Sequence, residues 1–172
     1  MVALFYFCTM ATKNNNLSAI DCKKVPSGRG KKIGIIVSEW NAEITEALKE
    51  GALRVLLKCG TYSRDILIEY VPGTFELPLG AQFLLESKDM DAVIAIGCVV
   101  RGETAHFDYV CQGVTQGVQE VSLRYNKPIM FCVLTDDTIQ QSRARSGGKY
   151  GNKGIEAAVG VLKMLDLRDK LK

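Results

Sequence analysis

Four short apolar runs, alternating with stretches of helical periodicity, constrain this chain more than any other feature. Residues 33–37, 66–71, 91–100 and 129–134 are of strand length and rich in β-branched side chains. After the first run, Asn41 is placed to cap a helix whose Ile44, Leu48, Ala52, Val55 and Leu56 repeat on one face, closed by Cys59 and Gly60. Residues 75–86 read as a second helix, with Pro78 tolerable in its first turn. Beyond the third run, Phe107, Val110, Cys111, Val114, Val118 and Val121 form a stripe on which Gly113 and Gly117 permit close packing. A short helix at 138–145 and a last one carrying Ile155, Ala158, Val159, Leu162 and Leu165 complete the pattern. The fold class is therefore α/β: three layers, with a central four-stranded, mostly parallel sheet and helices on both faces. In such folds, ligands gather where strands end and helices begin.

A chain of 172 residues, 47% hydrophobic, fits one domain with a full core. Its net charge of +3 is uneven: residues 1–32 carry a net +5 and the remainder a net −2. The folded part thus lacks the basic face that nucleic acid requires. Residues 1–30 read as an arm, of which 10–30 is too polar to fold alone and is expected to order against a neighbouring subunit, and residues 31–172 as the domain. The apolar stretch 1–9 has no basic residue before it and no cleavage site, so it is not a secretory signal. Met10 reads as a more natural beginning, and residues 1–9 are expected to come from an upstream start codon. No apolar run approaches membrane-spanning length. The six cysteines are scattered, with no CxxC, beside a single histidine. They read as reduced residues of a cytoplasmic protein with no metal site.

Chemistry-bearing residues concentrate after the strand runs. His106, the only histidine, follows the third in Arg101-Gly102-Glu103-Thr104-Ala105-His106. It is either a proton-exchanging group or a surface residue at a helix start. The free N–H groups around Glu103 and Thr104 would suit an anion, phosphate above all. Neither a Walker loop nor GxGxxG is present. Trp40, the only tryptophan, is either a stacking platform for a flat heterocycle or a core residue. Gly73-Thr74-Phe75-Glu76 is either a polyol or anion site, with Glu76 accepting hydroxyl hydrogens, or a plain turn. The stretch from Arg143 to Gly154 holds four cations and four glycines. It is either a phosphate grip centred on Arg145 or a solvated loop.

Together the strings Gly73-Thr74-Phe75-Glu76-Leu77-Pro78, Gly102-Glu103-Thr104-Ala105-His106-Phe107-Asp108-Tyr109-Val110, Leu134-Thr135-Asp136-Asp137-Thr138 and Gly151-Asn152-Lys153-Gly154 closely resemble the lumazine synthase family. The resemblance covers about residues 32–167. It implies a flavodoxin-like sandwich assembled into pentamers with each active site shared between neighbours. The implied reaction condenses 5-amino-6-(D-ribitylamino)uracil with 3,4-dihydroxy-2-butanone 4-phosphate to 6,7-dimethyl-8-ribityllumazine, releasing phosphate and water, without metal or organic cofactor. It also implies the roles. His106 is the acid/base. Arg145 with the amides of Glu103 and Thr104 holds phosphate. Trp40 stacks on the pyrimidine and Phe131 borders it from the adjacent subunit. Asn41, Glu76 and backbone groups near Thr74 and Phe75 hold pyrimidine and ribityl groups, and Val99 and Val100 contact the uracil edge. Glu156 orients Arg145, with Lys153 as a further basic group. The loop 147–152 resembles that of members whose pentamers close into icosahedral shells, and riboflavin synthase is an implied partner. Many members carry phenylalanine where Trp40 stands, and the larger ring is expected to retain flavins.

Two other readings share the fold class. A flavin-binding carrier would need a phosphate loop after the first strand, which Ser38-Glu39-Trp40-Asn41 does not provide. A non-catalytic shell protein would have no use for His106 and Arg145.

Overall fold

The computed structural model of the chain describes residues 20–87 and 89–171. The upstream-start expectation at 1–9, and the arm as far as residue 19, lie outside the described residues. The described residues form four parallel strands: β1 (Ile33–Ser38), β2 (Ile66–Val71), β3 (Ala92–Val100) and β4 (Ile129–Asp136). Their order is β2-β1-β3-β4, so β1 and β3 are central and β4 is an edge. The helices are α1 (Ala42–Lys58), α2 (Leu77–Ser87), α3 (His106–Tyr125), α4 (Ile139–Arg145) and α5 (Lys153–Lys170). No helix among the described residues is long and apolar enough to cross a membrane.

Strand alternation sorts the core into two clusters. Ile33, Ile35 and Val37 of β1, with Ile94 and Ile96 of β3, pack on Leu48 and Leu56 of α1 and on Ile155 and Leu162 of α5. Ile36, Val93 and Ala95 point the other way, onto Leu77 and Leu84 of α2 and Val114 and Val118 of α3. Helices on both faces are why the central strands read as continuous apolar runs. Truncating one such leucine to alanine costs about 2–5 kcal/mol.

The structure departs from expectation at several element ends. The α-helix expected from Phe75 starts at Leu77, after a 3-10 turn at Thr74–Glu76. Pro78 is the cause: it has no N–H to give Thr74's carbonyl in an α-helical bond, so Leu77 donates to that carbonyl instead. β4 runs two residues beyond Leu134 because Thr135 and Asp136 pair with Val99 and Val100 of β3. Asn41 precedes α1 in a left-handed conformation (φ 59°), but its side chain does not cap the helix. Its amide instead donates to the Cys98 carbonyl at 2.9 Å, tying the β1 end to β3. The glycine-rich loop after α4 contains two short antiparallel strands, β5 (Ser146–Gly148) and β6 (Gly151–Asn152).

The described part of the basic lead-in sits on this chain's own core. Ile20, Cys22 and Val25 pack against the α1/α5 side. Asp21 caps a 3-10 turn at Cys22–Lys24, and the Cys59 and Cys22 sulfurs lie 2.9 Å apart. Lys31 pairs with Asp169 of α5.

Candidate functional site

The carboxyl ends of β1, β2 and β3 bring one group of residues together. Glu39 N–H donates to Val71 O at 2.9 Å, joining the turn after β1 to the end of β2. Trp40, between Glu39 and Asn41, is 73% exposed, so it is not a core residue. A Cβ at Gly73 would meet Glu76 Oε2 at 2.9 Å and Trp40 at 3.8 Å, so Trp40 and Glu76 flank one backbone turn. Thr74 is buried, and its hydroxyl donates to Ser38 Oγ at 3.4 Å. What it offers outward is backbone. Phe75 is 59% exposed, with its ring against Gly113, where a Cβ would stand 2.6 Å from Phe75 Cε2. That contact gives Gly113 its place on α3. Val99 and Val100 end β3 half-buried, in register with Thr135 and Asp136.

His106 is the first residue of α3 and is exposed. Its N–H donates to Thr104 Oγ1 at 3.4 Å. The N–H groups of Glu103 and Thr104 meet no acceptor among the described residues and stay available to an anion. Trp40, Asn41, Thr74, Phe75, Glu76, Val99, Val100, Glu103, Thr104 and His106 thus all lie at strand ends or in the turns that follow them.

A second group lines a cavity of about 550 Å³ beside the edge strand β4. Its walls include Phe131, Asp136, Arg145, Lys153 and Glu156, and none of the first group. Phe131 is 42% exposed on the open edge. Arg145 Nη1 lies 3.4 Å from Asp136 Oδ1 and donates to the Gln141 carbonyl. The expected pairing of Glu156 with Arg145 is replaced: Glu156 Oε2 accepts from Lys153 Nζ at 2.8 Å, one turn along α5. Glu156 Oε1 is buried without a hydrogen-bond partner among the described residues. The cavity thus pairs each cation with a carboxylate, Arg145 with Asp136 and Lys153 with Glu156, and its open carboxylate oxygen can accept a hydrogen bond from a polar guest. Cys132 also lines it, but burial pushes its thiol up to about 12, so it is no nucleophile near neutral pH.

The group at β4 is held from behind by a buried network. Asp136, 8% exposed, accepts from Ser142 Oγ at 2.9 Å, and Ser142 accepts from Cys98 Sγ at 3.4 Å. Asn152 Oδ1 caps α5 by accepting from Gly154 and Ile155 N–H. Its amide donates to the carbonyls of Ala47 and Ser146 at 2.8 and 2.9 Å. Asn152 therefore fixes α5, with Lys153 and Glu156, against α1 and β5.

Residues 30–169 match the family model described as 6,7-dimethyl-8-ribityllumazine synthase. The chain belongs to that family. It is 55% identical over 157 residues to the 6,7-dimethyl-8-ribityllumazine synthase of Parabacteroides distasonis, covering 91% of this chain and 98% of that one. The protein of the same name from Porphyromonas gingivalis is 52% identical over 158 residues, covering 92% and 98%. That of Flavobacterium johnsoniae is 49% identical over 161 residues, covering 94% and 85%. Family membership bears out both the resemblance and the parallel α/β architecture read from the sequence.

Sequence reading missed the supporting residues. Asp136 was visible only as part of the Leu134–Thr138 string, and nothing local marks it as Arg145's partner. Arg101 and Asp108 flank the histidine loop with opposite charges. That spacing was the available signal for the ion pair they form at 3.0 Å.

Proposed function

We infer that this chain condenses 5-amino-6-(D-ribitylamino)uracil with 3,4-dihydroxy-2-butanone 4-phosphate to 6,7-dimethyl-8-ribityllumazine, the penultimate step of riboflavin biosynthesis. The observation that carries the reading is the gathering of an exposed indole, a carboxylate, open amides and the sole histidine at three adjacent strand ends in a member of this family. The amine attacks the ketone to give an imine with loss of water. Phosphate is then eliminated, and the ring closes with loss of a second water. Each step moves protons and none changes the net number of electrons, so the chemistry calls for neither a metal nor an organic cofactor.

His106 serves as the acid/base. Trp40 stacks on the pyrimidine, Asn41, Val99 and Val100 address its edge, and Glu76 with the Thr74 and Phe75 backbone holds the ribityl chain. Arg145 and the amides of Glu103 and Thr104 hold the departing phosphate, with Lys153 adding charge. Phe131, Arg145, Lys153 and Glu156 come from the adjacent subunit. Two features support that division: the β4 cavity includes none of the residues gathered at the ends of β1, β2 and β3, and Leu79 and Phe83 of α2 are exposed apolar side chains. The assembly is a pentamer, and its short loop 147–152 suits closure into a shell. Positioning of two reactants supplies most of the acceleration.

Mixing both substrates with the protein tests this: lumazine fluorescence appears if the reading holds. Purification with bound FMN and redox activity, or an assembly with no turnover, refutes it. Trp40 also makes the site sensitive to flat ligands. Riboflavin titration quenches its emission, and unchanged emission contradicts the stacking role.

A further inference from the structure

Six consecutive residues, Arg101 to His106, are exposed. A side chain added at Gly102 would find no neighbour within 4 Å. Burial therefore does not fix this loop, although it carries His106 and the open amides of Glu103 and Thr104. Helix α3 holds only the loop's last part: Ala105 precedes it without a side-chain cap, and its carbonyl accepts from Asp108 and Tyr109 N–H. The fixing contacts come from Arg101. Its Nε donates to Asp137 Oδ1 at 3.0 Å. Its Nη2 and Nη1 donate to Asp108 Oδ1 and Oδ2 at 3.0 and 3.3 Å. The guanidinium lies 4.1 Å from the centre of the Phe107 ring, which is itself buried. Arg101 N–H adds a bond to Asp136 O at 3.0 Å. One planar group thus spans the loop's first residue, the first turn of α3 and the turn between β4 and α4.

We propose that Arg101 is a positioning residue for the condensation, fixing residues 102–105 so that the Glu103 and Thr104 amides and His106 address one phosphate-bearing substrate. The proposal rests on the functional reading above. Arg101 is 42% exposed and its two carboxylate partners more so, at 61% and 68%. Exposed ion pairs of this kind add little to stability. Their value here is geometric: a bidentate grip on Asp108, a third donor aimed at Asp137 and a stack on Phe107 fix the orientation of the group. Lysine offers a point charge on a flexible stem and cannot reproduce that arrangement.

The test is steady-state kinetics on Arg101→Met, Arg101→Lys and Asp137→Asn beside the unaltered protein. Arg101→Met raises KM for the butanone phosphate about tenfold and lowers kcat by a similar factor, as expected for a misplaced reactant. Competitive inhibition by inorganic phosphate weakens in parallel, while KM for the pyrimidine and Tm hold. Arg101→Lys behaves like Arg101→Met. Asp137→Asn shifts the same two parameters by less, and it decides the matter should Arg101→Met fail to fold. Unchanged kinetics in these variants, full rescue by lysine, or an equal loss toward both substrates with a lowered Tm overturns the proposal. No lumazine from the unaltered protein would instead refute the functional reading itself.

Discussion

Residues 101–106 are exposed one after another and rest on charged contacts from Arg101, whereas Asp136, Ser142 and Asn152, which support the β4 group, are buried and hydrogen-bonded from several elements. The first region places groups by charge and hydrogen-bond direction on the surface. The second places them by packing within the fold. Changes in the first should therefore alter reaction kinetics and leave stability intact, and changes beneath the second should alter stability as well.

The largest effect is expected at His106. His106→Ala lowers kcat by about 10²–10⁴ and leaves the mass of the assembly unchanged; turnover equal to that of the unaltered protein would remove the acid/base role. Asn152→Ala strikes the packed region instead. Losing the α5 cap and two bonds to backbone carbonyls costs about 2–4 kcal/mol, read as a lower denaturant midpoint with unchanged slope. An unchanged midpoint would erase the contrast between the regions. Arg145→Ala should raise KM for the phosphate substrate about tenfold without moving KM for the pyrimidine.

The smallest effect concerns pH. Hydrogen bonds from Arg143 hold the Glu43 carboxyl below the usual carboxylate range, linking α1 to α4 behind the β4 group. A carboxyl depressed in the folded state stabilises the fold above its unfolded value. It loses that contribution as pH falls through the folded one. Glu43→Gln should therefore slightly flatten the fall in stability under acid, and an unchanged acid denaturation curve would show the pair to be inert.

Much of the architecture was legible because strand and helix periodicities differ and both faces of the sheet are covered. The run 66–71 matches β2 residue for residue. Element ends were harder to read where the decisive partner is distant in sequence. Asn41 has the composition of a cap, but its amide is taken by Cys98, 57 residues away. The site showed the same limit. The places of Trp40, Glu76 and His106 after strands were legible. Local sequence did not reveal that Glu156 would turn to Lys153 while Arg145 turned to Asp136, since each choice depends on how α4, α5 and β4 meet.

Subunit complementation tests most directly whether the imidazole and the guanidinium belong to one site built by two chains. His106→Ala and Arg145→Ala variants are unfolded together, reassembled in equal amounts and assayed at limiting phosphate substrate. Random mixing around a closed ring restores both intact groups at about one quarter of the sites, so activity rises to roughly that share of the unaltered protein's. Activity no greater than the average of the two separate variants would contradict the shared site.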